Sequence, residues 1–514
     1  MSKYVAALDI GTTGTRCIIF DLAGNEHGRD YEEWESFYPT TVMVEQDADL
    51  WWKAVKKTIV NAIKNAKIDR DDILSVAITN QRETIVPVDS NGEPLFNAIV
   101  WQDRRTTEEC NWIKGNIGID KIYNTTGLTV DPYFSGSKIL WFKNHKPEIY
   151  SKTYKFLLVH DYILYKLTGK YITDHSNASR TMLFDINSLK WSDSIGSLMG
   201  IDLDKMPEAL PSGKEIGNII SSNTGFSTKT KVITGGGDQQ CAALGVGVVK
   251  SGRMKCTTGT GSFILGYLDK PTFDKDKRVL CSCAAIPGKW VQEASIFTSG
   301  AVLRWFRDNI GAEERLKAEK ELEMGRKIDP YELITKKAET SPVGANGLVL
   351  IPHFIGAGAP HWNPYARGVI LGLTLGHKTA DLYRAVLEGV AMEVKKSLNV
   401  FQSLGMNPSE MRITGGGSRS NLWNQIMADV LGIPCGRGEL EESTAVGASI
   451  LASYGAGEFS DLIKAAENMV KINKKWTPNP NNTERYAKLF KISENLYDKL
   501  NRTGIYDELA KFSI

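Results

Sequence analysis

The 514-residue sequence has no window of about eighteen uninterrupted apolar residues, so no segment reads as a membrane-spanning helix. It has no charge excess of either sign. Lys and Arg number 62 against 60 Asp and Glu, a formal net charge of +2, and the broad basic footprint of a nucleic-acid-binding protein is missing. It has few cysteines, seven in all, at positions 17, 110, 241, 256, 281, 283 and 435. An odd, scattered set excludes a disulfide framework and predicts free thiols in a reducing compartment. Cys281 and Cys283 form a Cys-x-Cys pair, but no second pair or histidine cluster accompanies them, so they read as small buried residues. The opening Met-Ser-Lys-Tyr-Val-Ala-Ala-Leu-Asp-Ile lacks a basic segment followed by an apolar stretch and cleavage site, and a cytoplasmic location is expected.

What is present is an ordinary globular composition, 42% hydrophobic and 24% charged, on a chain long enough for two or three domains. Tyr4 to Asp9 and Cys17 to Asp21 read as a β-hairpin around a Gly/Thr loop. Apolar residues at helical spacing from Leu50 to Ala66 predict an amphipathic helix with Asp47 as its N-cap. Leu74 to Thr79 reads as a strand ending in the polar turn Thr79-Asn-Gln-Arg-Glu-Thr84. The second half opens in the same way. Lys231 to Thr234 is a strand, Gly235 to Gly237 a turn, and Gln240 to Val249 a small-residue helix. Strands at Met254 to Thr258 and Phe263 to Tyr267 then flank a second Gly/Thr loop. Helices are predicted over 381–401 and 418–431, the latter starting at Ser418, and Thr477 to Asn482 reads as a loop. Alternating strands and helices with two similar openings predict a duplicated α/β protein divided into residues 1–248 and 249–514.

Several constellations bear on chemistry. Gly11, Thr12, Thr13 and Gly14, with Arg16 beside them, can point backbone N–H groups, hydroxyls and a positive charge at phosphate oxygens. Thr258-Gly-Thr260-Gly261-Ser262 can do the same, although each loop alone also reads as a turn that needs glycine. Neither matches the Gly-x-x-x-x-Gly-Lys-Ser/Thr loop or the Gly-x-Gly-x-x-Gly dinucleotide fingerprint. Asp9, just ahead of the first loop, offers oxygen ligands of the kind Mg²⁺ prefers. Asp238 reads equally as a turn carboxylate or helix N-cap and as a base able to take a proton from a hydroxyl. Arg82 and Glu83 can bracket vicinal hydroxyls or form a surface ion pair. Trp101 and Phe263 suit either a substrate's carbon face or the core, and Tyr133 offers a loop hydroxyl. Gly416 permits close backbone approach to an adenine that Asn421 can hydrogen-bond, although a plain strand-to-helix turn explains the segment almost as well.

At Ile78-Thr-Asn-Gln-Arg-Glu-Thr84, Asn97-Ala-Ile-Val-Trp-Gln102, Asp131-Pro-Tyr-Phe-Ser-Gly136, Asn177-Ala-Ser-Arg-Thr-Met-Leu-Phe184 and Gly237-Asp-Gln-Gln240, the sequence resembles the FGGY carbohydrate kinases, most closely the glycerol-phosphorylating members. The resemblance covers nearly the whole chain. It implies two actin-like (ribonuclease H-like) domains of the sugar kinase/Hsp70/actin superfamily, with ATP and substrate in the cleft between them. Residues 1–248 would then hold the substrate site and first phosphate loop, and residues 249–514 the second loop and adenine site. It further implies that Arg82, Glu83, Tyr133, Asp238 and Gln239 bind a small polyol, that Trp101 and Phe263 pack on its carbons, and that Asp238 is the general base. On the nucleotide side it carries over Thr13, Arg16, Thr260, Gly300 and Gly416, with Asp9 as the Mg²⁺ acid. Arg304 stands where the family places a polar amide near the nucleotide, and Ile10 where Gln or Glu is usual. Phosphorylation of glycerol to sn-glycerol 3-phosphate is the activity implied. The alternative is another polyol or a ketose such as D-xylulose, because 232–308 and 415–434 are more similar to xylulose-phosphorylating members. A homodimer is expected from the same resemblance.

Overall fold

The computed structural model describes residues 3–512. The chain forms two compact units, both discontinuous in sequence. The first comprises Met1–Lys250, Tyr267–Gln292 and Glu442–Lys471; the second comprises Ser251–Gly266, Glu293–Glu441 and Ile472–Ile514. A single division after residue 248 therefore marks only the first crossing, and the two later returns to the first unit escape it. One return has a clear packing cause. The Ser443–Gly455 helix lies so close to the Asp238–Gly245 helix that a Cβ on Gly447 would sit 1.9 Å from the Cys241 carbonyl oxygen, and one on Gly245 would sit 1.9 Å from that of Ser443. Only backbone fits there, on both sides.

The first unit is built on a six-stranded sheet in the order Glu215–Asn218, Lys231–Gly237, Ile73–Asn80, Tyr4–Ile10, Gly14–Asp21, Glu26–Glu33. Tyr4–Ile10 runs antiparallel to Gly14–Asp21, with Asp9 opposite Arg16, and parallel to Ile73–Asn80. Strands buried on both faces need near-continuous apolar runs, which Val5 to Leu8 and Val76 to Ile78 supply. The predicted first helix forms over Ala48–Ala66, and the Asp47 side chain accepts the Asp49 N–H as its cap. Its apolar stripe of Trp51, Val55, Ile59 and Ala62 packs in the core with Leu8, Ile19 and Val76.

The second unit repeats the opening pattern. Arg253–Thr258 and Ser262–Leu268 pair as an antiparallel hairpin; Arg253–Thr258 runs parallel to Glu410–Thr414, which runs parallel to Cys435–Gly438, and Ile472–Trp476 closes that edge antiparallel. In each unit a hairpin closes on a glycine loop and its first strand takes a parallel partner from far along the chain. This is the duplication the sequence predicted.

Three local expectations are corrected. Gly235 to Gly237 do not turn; they continue the Lys231–Gly237 strand, with Gly236 opposite Thr79 and Gly237 opposite Asn80. The reason is steric, because a Cβ on Gly235 would lie 1.6 Å from the Ile78 carbonyl oxygen. The helix predicted from Ser418 begins at Asn421 with Ser420 as its cap, after a 3₁₀ turn over Gly416–Arg419 that Gly415 enters at φ 81°. The Pro/Asn segment at 477–482 is loop only to Asn479, which caps a helix over Pro480–Arg502; proline at the first helical position costs nothing there.

Candidate active site

Asp238 is the first residue of the Asp238–Gly245 helix, at the end of the glycine strand. Its Oδ1 accepts the Gln239 N–H at 2.6 Å and lies 3.2 Å from Arg82 Nε, while its side chain stays 32% exposed. Arg82 and Glu83 follow the Ile73–Asn80 strand, whose parallel neighbour is the strand that leads to Asp238. Both are buried, so the surface ion pair that their sequence adjacency allowed is excluded. Arg82 reaches further, to Gln240 Oε1 at 3.3 Å and the Tyr133 hydroxyl at 3.5 Å. Glu83 takes the left-handed backbone conformation at φ 65°, which few non-glycine residues adopt. Its carboxylate accepts the Arg180 Nε–H at 2.6 Å, and its carbonyl accepts the Ser135 hydroxyl at 2.9 Å.

Trp101 and Tyr133 meet edge to face, 5.6 Å between ring centroids. The indole N–H of Trp101 donates to Thr12 Oγ1 at 2.9 Å, tying this wall to the first glycine loop. Below the wall, the fully buried Lys138 donates to the Tyr133 carbonyl at 2.7 Å; burial pulls its ammonium down to about 8, against the opposing pull of Glu83, Asp103 and Asp131. The result is a compact cluster of paired charges, one phenol and one indole, with a partly exposed carboxylate among them.

The first glycine loop is shaped by the Gly11 N–H bonding the Gly14 carbonyl at 2.9 Å, and Gln46 steadies it by donating to the Thr12 carbonyl at 2.7 Å. Thr13 is exposed, and a Cβ on Gly14 would lie 2.5 Å from the Glu32 carbonyl oxygen. Asp9 sits beneath the loop. Its Oδ2 accepts the Thr444 hydroxyl at 2.9 Å, and Arg16 Nε lies 3.7 Å away. Burial raises its carboxyl to about 6. Arg16 and Thr444 oppose the rise, and the nearby charges of Asp238 and Glu442 add to it. Arg16 itself is paired with Glu442.

In the second unit a cavity of about 780 Å³ opens between the second glycine loop, the Gly300–Asn309 helix, the Pro330–Ala338 helix and the 3₁₀ turn at Gly416. Thr260, Gly300, Arg304, Gly416 and Asn421 all line it. The Gly300 N–H bonds the Gly259 carbonyl, and the Ser299 and Ala301 N–H groups bond the Thr260 carbonyl, so loop and helix start are fastened together. A Cβ on Gly300 would lie 2.4 Å from the Gly259 oxygen. The cavity has the size and the mixed apolar and polar lining of a small-molecule site.

Residues 4–245 match the N-terminal domain of the FGGY family of carbohydrate kinases, and residues 254–456 match its C-terminal domain. The chain belongs to this family. It is 36% identical to a glycerol kinase of Saccharolobus islandicus over 496 residues, 94% of each chain. Among solved structures it is similar to the gluconate kinase of Lactobacillus acidophilus, at a TM-score of 0.89 and 26% identity over 97% of this chain and 98% of that one. It is also similar to the glycerol kinase of Plasmodium falciparum with ADP, at 0.86 and 25% over 96% and 98%. The fold is accordingly the actin-like, ribonuclease H-like architecture of these kinases, and the protein is an ATP-dependent carbohydrate or polyol kinase. No helix among the described residues is long and apolar enough to cross a membrane.

For an FGGY kinase the placement of the sequence-predicted residues is informative. Arg82, Glu83, Trp101, Tyr133, Asp238 and Gln239 all fall in the first unit with Asp9, Thr12, Thr13, Gly14 and Arg16. Phe263 and Gly261 lie in the second unit. Phe263 is half-buried on the Ser262–Leu268 strand, and Gly261 is outside the cavity lining, where a Cβ would meet the Ile296 carbonyl oxygen at 2.4 Å. Four residues escaped the sequence reading: Arg180, Lys138, Glu442 and Thr444. Arg180 and Lys138 lay inside or beside quoted motifs, but nothing in one sequence marks a buried cation as a partner of Glu83. Glu442 and Thr444 reach Asp9 and Arg16 from the far end of the chain, which no spacing rule anticipates.

Proposed function

We propose that the chain transfers the γ-phosphoryl group of ATP to a terminal hydroxyl of glycerol, forming sn-glycerol 3-phosphate. The observation that carries this reading is the tight cluster of Arg82, Glu83, Tyr133 and Asp238, whose donors and acceptors suit the closely spaced hydroxyls of a short polyol. In it, Arg82 donates to hydroxyl oxygens, Glu83 accepts from a hydroxyl, and the Tyr133 phenol contributes a further bond. Gln239 assists at the same edge. Trp101 is assigned to the carbon face. Asp238, held by Arg82 and the Gln239 N–H, accepts the proton as the terminal oxygen attacks phosphorus in line, with the departing electron pair leaving on ADP.

Charge on the transferring group is neutralised by the backbone N–H groups of the first glycine loop and by Arg16, which must exchange its Glu442 partner to do so. The adenosine is assigned to the second-unit cavity, between Gly300, Arg304, Gly416 and Asn421. The donor set around Asp9 fits Mg²⁺. It is a carboxylate that burial raises to about 6 despite Arg16 and Thr444, with Asp238 near enough to add to the rise. Asp9 would hold the ion, which when bound supplies positive charge to the phosphates. A cytoplasmic setting fits seven cysteines that are all free and buried.

A second reading, a longer polyol or ketose such as D-xylulose, fits the likeness to the xylulose kinase of Lactobacillus acidophilus, at a TM-score of 0.89 and 25% identity. Steady-state kinetics with ATP across glycerol, erythritol, D-xylulose, D-ribulose and D-gluconate decide between the two. The proposal expects the highest kcat/KM for glycerol, and a higher value for a five- or six-carbon substrate overturns it.

A further inference from the structure

The second unit contains a cluster with no part in the reaction just described. His353 and His361 lie on the segment that follows the Val349–Ile351 strand, and Glu393 projects from the middle of the Thr379–Ser403 helix. One ligand atom from each residue falls within 4.8 Å of the other two. Glu393 Oε2 lies 3.7 Å from His353 Nε2 and 3.9 Å from His361 Nε2. Those separations are too long for hydrogen bonds. None of the three atoms has any other hydrogen-bond partner, although His353 and Glu393 are 3% and 1% exposed. Three unpartnered polar atoms converging in one largely buried place are rare, because buried polar groups are ordinarily hydrogen-bonded.

The spacing suits an ion. At ordinary zinc distances, about 2.0–2.1 Å to nitrogen and 2.0–2.2 Å to oxygen, tetrahedral ligand atoms stand about 3.4 Å apart. The two carboxylate–imidazole gaps of 3.7 and 3.9 Å come within a few tenths of an ångström of that, so small side-chain shifts close them on an ion. Lys396 donates to the other carboxylate oxygen of Glu393, Oε1, at 2.7 Å, which leaves Oε2 facing the two imidazoles. Tyr497 stacks on the His361 ring with centroids 3.7 Å apart, fixing the plane of that imidazole. His361, 17% exposed at its side chain, is the entry side.

We propose that His353, His361 and Glu393 form a binding site for a transition-metal dication, Zn²⁺ being the best match. The ligand type excludes the alternatives by class: two imidazoles favour zinc over Mg²⁺ or Ca²⁺, which prefer oxygen. Three protein ligands leave one tetrahedral position for water. The ion's role is structural, clamping the 352–363 segment to the Thr379–Ser403 helix, and Lys396 acts as an outer partner that orients the carboxylate.

The test uses the full chain, stripped with chelator and titrated with Zn²⁺ by calorimetry in the absence of nucleotide. One site per chain is expected, unaffected by excess Mg²⁺. His361→Gln, at the most exposed of the three ligands, should weaken it by ~100-fold or more. A wild-type chain that binds no Zn²⁺, or a folded His361→Gln chain that binds it equally well, overturns the proposal. Should the variant not fold, Co²⁺ titration of the wild type decides. The visible bands of a four-coordinate cobalt centre at one per chain support the site, and a spectrum of hydrated Co²⁺ alone rejects it.

Discussion

Arg82 and Asp238 meet with 3.2 Å between Nε and Oδ1, the first side chain buried and the second partly open to solvent. The contact joins the ends of two adjacent parallel strands, Ile73–Asn80 and Lys231–Gly237, and in open α/β sheets ligands bind at the carboxyl ends of strands. Because Arg82 also bonds Gln240 and Tyr133, it positions the base rather than merely neutralising it. Asp238→Asn keeps the shape of this contact and removes the proton acceptor. We expect kcat to fall by ~10²–10⁴-fold with little change in the KM for glycerol. Undiminished turnover in a steady-state assay would remove Asp238 from the role of base.

Asp9 titrates at about 6 in the folded chain against 3.8 as its ordinary value. A carboxyl raised on folding binds more protons when folded than when unfolded between those two values. Stability from this group therefore falls as pH rises from about 4 to about 6 and stays lower above. The difference of about 2 units corresponds to ~3 kcal/mol. Asp9→Asn should raise the unfolding midpoint at pH 7 and flatten the pH 4–6 slope while lowering kinase activity. Denaturant melts at several pH values check it; an unchanged slope would refute the raised pKa.

Gly416 lines the second-unit cavity, and a Cβ added there meets nothing within 4 Å. Gly416→Val should leave the melting temperature nearly unchanged yet obstruct the nucleotide. A rise in the KM for ATP of ~10-fold, with the KM for glycerol unaltered, is the expected pattern. An equal rise in both would mean that the cavity is not the adenosine site.

Gly447 makes the opposite case. Its Cβ position is filled by the Cys241 carbonyl, so alanine must push the Ser443–Gly455 helix off the Asp238–Gly245 helix. Gly447→Ala is expected to destabilise the first unit by ~1–3 kcal/mol or more, read as a lower urea midpoint. Turnover per folded molecule should fall too, since the helix that Ser443–Gly455 is pushed away from begins at Asp238.

Much of this protein was legible from one sequence. Periodicity and capping located the first helix and its Asp47 cap, the two hairpins with their glycine loops, and the long helix over Thr379–Ser403, because these elements are specified by residues close together in the chain. The motifs around Arg82, Tyr133 and Asp238 pointed to a phosphoryl-transfer enzyme of this family. Only the tertiary structure decided the rest. Gly235 to Gly237 continue a strand because they pair with Ile73–Asn80, and Gly235 fits there only as glycine because the Ile78 backbone leaves no room for a side chain, which local turn propensity cannot register. Whether Arg82 and Glu83 were surface charges or a buried lattice depended on Arg180, Lys138 and Tyr133, brought in from separate elements. Asp9 acquires its raised pKa from burial and from Asp238 and Glu442, and the His353–His361–Glu393 cluster exists only where a loop meets a helix face. Local pattern determines elements because its forces act between neighbours in sequence; desolvation and charge pairing act between neighbours in space, so the site's chemistry was set by the fold.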